Sequence, residues 1–246
     1  ASLEEDAITA SSVYSCRGGL KFGSHTFKCW KHSGHGGLNV VGALQHSCDV
    51  FFYQVGLKTG IDKLIKWGRK FHLGEPTGID LPGESGGNIA GPDWKMRRFK
   101  RNWVNGDTVN YSIGQGYMLM TPLQIARVYA AIANGGKLVT PHLNQKNYKT
   151  PENIGINPEK LAIVQKGLDY VVSRGTGSRA GRFGVKIAGK TGTAQNSHGD
   201  DHALFAGYAP SDNPKYVAVA VIEGGKHGSS VAAPLVGQLL AYLLSQ

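Results

Sequence analysis

The residues Lys190-Thr191-Gly192-Thr193 follow the apolar Ile187-Ala188 and carry the groups of an anion cradle. On a strand, side chains alternate, so Lys190 and Gly192 would face one way and the two threonines the other. An ammonium, two hydroxyls and a backbone left open by a glycine could bind a carboxylate and polarise a carbonyl. A second candidate group lies far upstream. Ser47-Cys48-Asp49 sets a hydroxyl and a carboxylate two positions apart, where a break between two helices is expected. A third group is Cys16, Cys29, His35 and Cys48, with intervening runs of 12, 5 and 12 residues. Three thiolates and one imidazole form a closed structural zinc set. The spacing has no C-x-x-C, so a Cys16–Cys29 disulfide with Cys48 as a small buried hydrophobe competes with the metal, as do three free thiols. The odd cysteine count argues against a framework built from disulfides alone.

These residues need elements to hold them. The first 36 residues read as extended and irregular, with turns at RGG and HSGHGG. Residues 38–56 read as two helices broken at Ser47–Asp49, with Asp49 expected to cap the second. Residues 61–71 have apolar positions at helical spacing. Residues 73–106 are rich in Gly and Pro and read as a long loop with a short helix at 94–98. Thr121-Pro122 opens a helix that stops at Gly135-Gly136, and Asn157-Pro158 opens another to residue 173. Beyond it, VKIAGKTGT, HALFAGYAP and KYVAVAVIEGG read as three antiparallel strands, because their connections are short. AAPLVGQLLAYLL closes the chain as a helix. Helices first, then an antiparallel sheet with a helix against it, is an α+β pattern.

The chain has 246 residues, enough for a substantial core. Its formal charge is +10, which suits an anionic polymer, lipid or nucleic acid. The densest basic run is KMRRFKRNW, residues 95–103, with aromatics interleaved. No nucleic-acid-binding motif accompanies the charge, so nucleic acid is not an expected partner. No apolar run reaches the length of a membrane span, and the start, ASLEEDAIT, lacks the basic and apolar regions of a signal peptide.

S-x-D and K-T-G are two of three motifs of penicillin-interacting serine acyltransferases. GHGGLNVVGALQHSCDVFFYQVG, TGIDLPGES, GDTVNYSIGQGYMLMTPLQIA, AGKTGTAQ and HALFAGYAP, in that order, resemble class B penicillin-binding proteins, and among them the elongation type. The resemblance covers nearly the whole chain. It implies the serine β-lactamase/transpeptidase-like α+β fold, an antiparallel sheet flanked by helices. It also implies a peptidoglycan D,D-transpeptidase. A serine attacks the D-Ala–D-Ala carbonyl of a stem peptide, D-Ala leaves, and an amine of a neighbouring strand resolves the acyl-enzyme; β-lactams trap that intermediate.

Carried over by the resemblance, Ser47 relays a proton toward the leaving amine. Asp49 hydrogen-bonds the catalytic lysine or the substrate amide. Lys190 sustains the proton path, Thr191, Gly192 and Thr193 bind the substrate, and His202 lines the far side of the cleft. Zinc on Cys16, Cys29, His35 and Cys48 is also a feature of some elongation-type members, with Cys48 binding behind Ser47. The implied partners are stem peptides, lipid-linked glycan strands, β-lactams and the glycosyltransferase of the elongation complex, at the periplasmic face of a bacterial inner membrane.

The third motif, S-x-x-K, carries the nucleophile, and no serine of the chain has Lys three positions later. By resemblance it falls just upstream of Ala1. Residues 1–246 are therefore expected to be part of a transpeptidase domain whose S-x-x-K segment, pedestal domain and membrane anchor precede them. Two other readings stand beside cross-linking: a hydrolase of carboxypeptidase or β-lactamase type, which deacylates with water, and a catalytically inert scaffold or sensor domain.

Overall fold

The computed structural model describes residues 1–196 and 198–246. The N-terminal segment forms small antiparallel pieces: β1 (Tyr14–Cys16), β2 (Gly19–Phe22), β3 (His25–Lys28) and β4 (Gly36–Leu38), with β1 paired to β4 and β2 to β3. The stretch read as irregular is thus a folded pair of ribbons. Helices α1 (Val40–His46), α2 (Asp49–Thr59) and α3 (Ile61–Lys70) follow. Cys16, Cys29, Val40, Cys48, Phe51 and Val109 share one buried core in this helical lobe.

Residues 73–106 hold the expected short helix, lengthened to α4 (Pro92–Phe99), and they also contain the start of α5 (Asn105–Tyr111), which was not expected. Their turns are pinned by side chains. Asp80 accepts from the Leu143 and Asn144 N–H groups at 2.7 and 2.9 Å, and Glu84 accepts from Thr77 N at 2.8 Å. The pin from outside is Gln124, whose buried amide donates to Glu75 O and Gly86 O at 2.8 Å each. Gln124 also closes a capping box with Thr121 at the start of α6 (Pro122–Ala133), so one residue both starts a helix and fastens the loop. A two-stranded piece, β5 (Lys137–Leu138) with β6 (Glu152–Asn153), leads to α7 (Pro158–Arg174), capped by the Asn157 side chain as its sequence predicts.

The sheet lobe has β7 (Ala188–Ala194), β8 (His202–Ala209) and β9 (Tyr216–Ile222), all antiparallel in the order β7-β8-β9, as expected. Seven residue pairs lock β7 to β8, including Lys190 opposite Ala206 and Thr193 opposite Ala203. α8 (Ala232–Leu244) buries Ala232, Ala233, Val236, Gly237 and Leu240 in the core it shares with Ala203, Phe205, Ala218 and Ala220 of the sheet. Small residues allow this approach. A Cβ on Gly237 would lie 2.3 Å from the Ala180 carbonyl oxygen. β7 ends the described order, so its outer edge is free to border a cleft against the helical lobe. Among the described residues, no helix is long and apolar enough to cross a membrane.

Candidate active site and metal cluster

A cleft of about 720 Å³ is lined by Ser47, Asp49, Lys190, Thr191, Gly192 and Thr193 among others. Two sequence groups 143 residues apart thus meet, and they touch directly: Lys190 Nζ donates to Ser47 Oγ at 2.8 Å.

Ser47 owes its placement to a helix ending. It sits in the left-handed region (φ 52, ψ 50) just after α1. The Ser47 N–H donates to Leu44 O at 3.2 Å and the Cys48 N–H to Ala43 O at 3.0 Å. These two bonds are a Schellman ending, where glycine is the usual left-handed residue. Serine there costs roughly 1 kcal/mol of backbone strain. Cys48 then precedes α2 and points into the core, while Asp49 takes the first helical position. The sequence expectation that Asp49 caps α2 is therefore corrected. Its carboxylate instead accepts from the Trp30 N–H at 3.0 Å.

Trp30 clamps this turn. Its indole N–H donates to both His46 O (3.0 Å) and Ser47 O (2.9 Å), two carbonyls the ending of α1 leaves without helical partners. The sequence offered no hint of this beyond the adjacency of Trp30 to Cys29. Burial pushes the Asp49 carboxyl up to about 6, against the Trp30 N–H, which favours its charge. Burial also pulls the Lys190 ammonium down to about 8, with Asp49 opposing the shift. A lysine poised there can give and take a proton near neutral pH.

On the sheet side, Lys190 Nζ also donates to Thr191 O at 2.8 Å, and Thr191 Oγ1 lies 3.0 Å from Thr176 Oγ1. Thr193 is exposed at the open end, and its carbonyl accepts from Gln115 Nε2 at 3.3 Å across the cleft. All four residues of K-T-G-T line the cleft although their side chains alternate, because an edge strand offers its backbone as well as its faces. His202 is corrected. It begins β8 opposite Ala194, its Nδ1 accepts from the Gly224 N–H at 3.2 Å, and it is not among the residues that line the cleft. His227, in the turn before α8, lines it instead. Sequence reasoning also missed Trp30, Thr176 and the specific role of Gln115, though Gln115 lies within the quoted SIGQG.

Behind Ser47, the ligand atoms of Cys16, Cys29, His35 and Cys48 all lie within 4.8 Å of one another. All three thiols are unbonded and buried. His35 Nδ1 is 3.6 Å from both Cys16 Sγ and Cys29 Sγ. A tetrahedral zinc with sulfur at ~2.3 Å and nitrogen at ~2.05 Å separates those atoms by about 3.6 Å. The thiols crowd one another. The Cys29 thiol is lowered by its hydrogen bond with Cys48, whose own thiol is raised by that contact and by burial. The residues therefore fit a closed tetrahedral ion. Trp30 follows Cys29 directly, so the loop that carries one thiol also carries the clamp on Ser47 and Asp49.

Comparison with known proteins gives the same outline. A family model described as the penicillin binding protein transpeptidase domain matches residues 1–241. The chain is 40% identical over 249 residues to the peptidoglycan D,D-transpeptidase MrdA of Haemophilus influenzae, a match over 89% of this chain and 38% of that protein. Among solved structures, the Pseudomonas aeruginosa PBP2 crystal structure in complex with WCK 5153 superposes with a TM-score of 0.93 at 34% identity, covering 100% of this chain and 58% of that one. The Helicobacter pylori PBP2 in its complex with MreC gives 0.90 at 33% identity, covering 99% and 48%. The chain thus spans well under two thirds of these relatives. The K-T-G-T edge, the S-x-D turn that meets it, and the match over residues 1–241 together place this chain in the penicillin-binding protein transpeptidase family.

Proposed function

We propose that the chain forms the substrate cleft of a peptidoglycan D,D-transpeptidase that cross-links stem peptides during cell elongation and is inhibited by β-lactams. The observation that carries this reading is the 2.8 Å contact from Lys190 Nζ to Ser47 Oγ inside a cleft edged by K-T-G-T. That pair can pass a proton to a leaving amine. Thr191, Gly192 and the exposed Thr193 would receive the terminal carboxylate, and the Thr193 N–H would serve the oxyanion. Asp49 holds the Lys190 side of the cleft negative and positions the substrate amide.

The attacking serine in this reading belongs to an S-x-x-K segment preceding Ala1, on a protein anchored at the periplasmic face of the inner membrane. Its acyl-enzyme forms as the serine oxygen bonds the carbonyl carbon and D-Ala leaves carrying a proton. An amine of a second strand then displaces the serine. The glycosyltransferase of the elongation complex would supply the glycan strands, and the solved complex of a relative with MreC favours an assembly context of that kind.

Zinc is part of the same proposal. Cys16, Cys29, His35 and Cys48 would hold it, and its role would be structural, fixing the segment behind Ser47. Metal analysis with thiol counting tests this. About one equivalent of zinc per chain is expected; metal-free protein with two fewer titratable thiols would mean a disulfide instead.

The test of the activity is the intact mass of the natural full-length protein with and without a β-lactam. A one-equivalent adduct that maps outside residues 1–246 is expected. No adduct on a folded, zinc-loaded protein would overturn the transpeptidase reading.

A further inference from the structure

The basic run of residues 95–103 has a use that the cleft does not absorb. Its cations fall into two groups. Lys95 is buried, ion-paired with Asp107, and lies 5.8 Å from the Tyr117 ring centre and 6.0 Å from that of Trp103. It is part of the interior. Arg97, Arg98, Lys100 and Arg101 are all exposed, and among the described residues none has an ion-pair or hydrogen-bonding side-chain partner. Met96 and Phe99 are exposed beside them, at 42% and 46%.

This surface is mounted firmly. Trp94 and Phe99 of α4 pack at a tilt against Tyr117, with ring centres 5.3 and 5.5 Å apart, and Trp103 joins the same cluster at 6.3 Å. Tyr117 follows Gln115 by two residues, and Gln115 crosses the cleft to Thr193. The aromatic cluster therefore ties α4 to the segment that forms one wall of the cleft. Four unpaired cations on a rigid mount, in a chain with a formal charge of +10, set up a positive field at close range.

We propose that the α4 surface, Arg97, Arg98, Lys100 and Arg101 with Met96 and Phe99, is a docking face for the acidic strand whose stem peptide enters the cleft. This rests on the transpeptidase reading and deepens it. Stem peptides carry free carboxylates at each disaccharide, so an extended strand presents repeated negative charge. A face attached to the cleft wall would hold a neighbouring repeat of the same polymer. Guanidinium groups suit this, since each can accept a carboxylate in a two-point hydrogen bond. A lipid surface fits less well. α4 has eight residues and exposes two large apolar side chains, too few for an interfacial helix of ordinary depth. Multivalent attachment to a polymer raises the local concentration of stem peptides without any change in the cleft's own affinity.

The experiment compares the natural full-length protein with its R97E/R98E variant and with a control, K21E/K28E, which makes the same charge change on the exposed β2–β3 ribbon. Co-sedimentation with insoluble peptidoglycan is measured at about 50 and about 200 mM salt, between which the screening length falls from ~14 Å to ~7 Å. Binding of a soluble pentapeptide ending in D-Ala–D-Ala is measured separately. On the order of a tenfold loss of polymer affinity at low salt is expected for R97E/R98E, with a much smaller loss for the control and unchanged pentapeptide binding. Equal losses in the two variants would overturn the proposal, since net charge alone would then account for them. So would wild-type binding to phosphatidylglycerol vesicles with none to peptidoglycan. Failure of the wild-type chain to bind the pentapeptide, with α4-dependent polymer binding intact, would instead count against the transpeptidase reading of the cleft. Near-ultraviolet circular dichroism checks that R97E/R98E keeps its aromatic packing.

Discussion

The two walls of the cleft are built on different principles. The sheet wall, β7, is a regular strand held by seven cross-strand pairs, so its support is spread over many weak bonds. The helical wall, the Ser47–Asp49 turn, is a left-handed serine held by the two Schellman bonds of its helix ending, one indole, the Trp30 N–H and a knot of cysteines. A wall of the first kind tolerates the loss of any one interaction. A wall of the second kind depends on a few. The chain thus sets its K-T-G-T residues on a redundant scaffold and Ser47 on a sparse one.

That contrast would be broken if the two walls responded equally to single substitutions. The largest effect is expected at the cysteine cluster. Cys29→Ser or Cys48→Ser should abolish zinc retention and cost more than about 3 kcal/mol, read as a lowered denaturation midpoint together with metal content. If either variant keeps its metal and its stability, the helical wall does not rest on the cluster.

Next in size is Lys190, where stability and function part. Burial lowers its pKa from 10.5 to about 8. Between those values the unfolded chain binds the proton more tightly than the folded one. The proton therefore destabilises the fold fully below about pH 8, and the penalty lifts as pH climbs toward 10.5. Lys190→Met should remove this slope and, at pH 7, raise stability on the order of 2 kcal/mol while ending pentapeptide binding. Denaturant titrations of both proteins at pH 7 and pH 10 compare the slopes; parallel behaviour would mean that Lys190 is not buried as a charged group.

A smaller effect is expected at Trp30. Trp30→Phe keeps the ring and removes the donor shared by His46 O and Ser47 O. A loss of about 1–1.5 kcal/mol should appear in urea unfolding, and exchange of the amides around Ser47 should quicken. The smallest change sharpens the comparison from the other side. Thr191→Val removes the Thr176 contact but suits a strand, so it should cost less than about 1 kcal/mol while still weakening pentapeptide binding. An unfolding cost larger than that of Trp30→Phe would invert the contrast between the walls.

How well the sequence could be read follows the same division. β7, β8 and β9 were legible because alternation and short connections leave few other arrangements. The α6 and α7 starts were legible because Thr121-Pro122 and Asn157-Pro158 are local capping signals that nothing remote overrides. Asp49 was misjudged because its capping propensity lost to a partner 19 residues away, the Trp30 N–H. His202 was misplaced because the resemblance set it on the cleft, whereas it begins the central strand β8, behind β7. The KMRRFKRNW run concealed a buried lysine, since Lys95 is taken in by Trp103 at the run's own end and by Asp107 and Tyr117 from further along the chain. The Cys16, Cys29, His35, Cys48 set was legible as a group of donors, but only the folded ribbons show that His35 Nδ1 lies 3.6 Å from both Cys16 Sγ and Cys29 Sγ.

The Trp30 clamp has an optical consequence. The chain has four tryptophans, and Trp30 is the one among them whose ring is exposed, at 56%. Trp67 is buried at 7%, and Trp94 and Trp103 are packed with Tyr117. A collisional quencher such as iodide should therefore act chiefly on Trp30. Because that indole lines the cleft and bonds Ser47 O, whatever fills the cleft should shield it. The protein carries its own gauge of occupancy, readable in ultraviolet emission with no label attached.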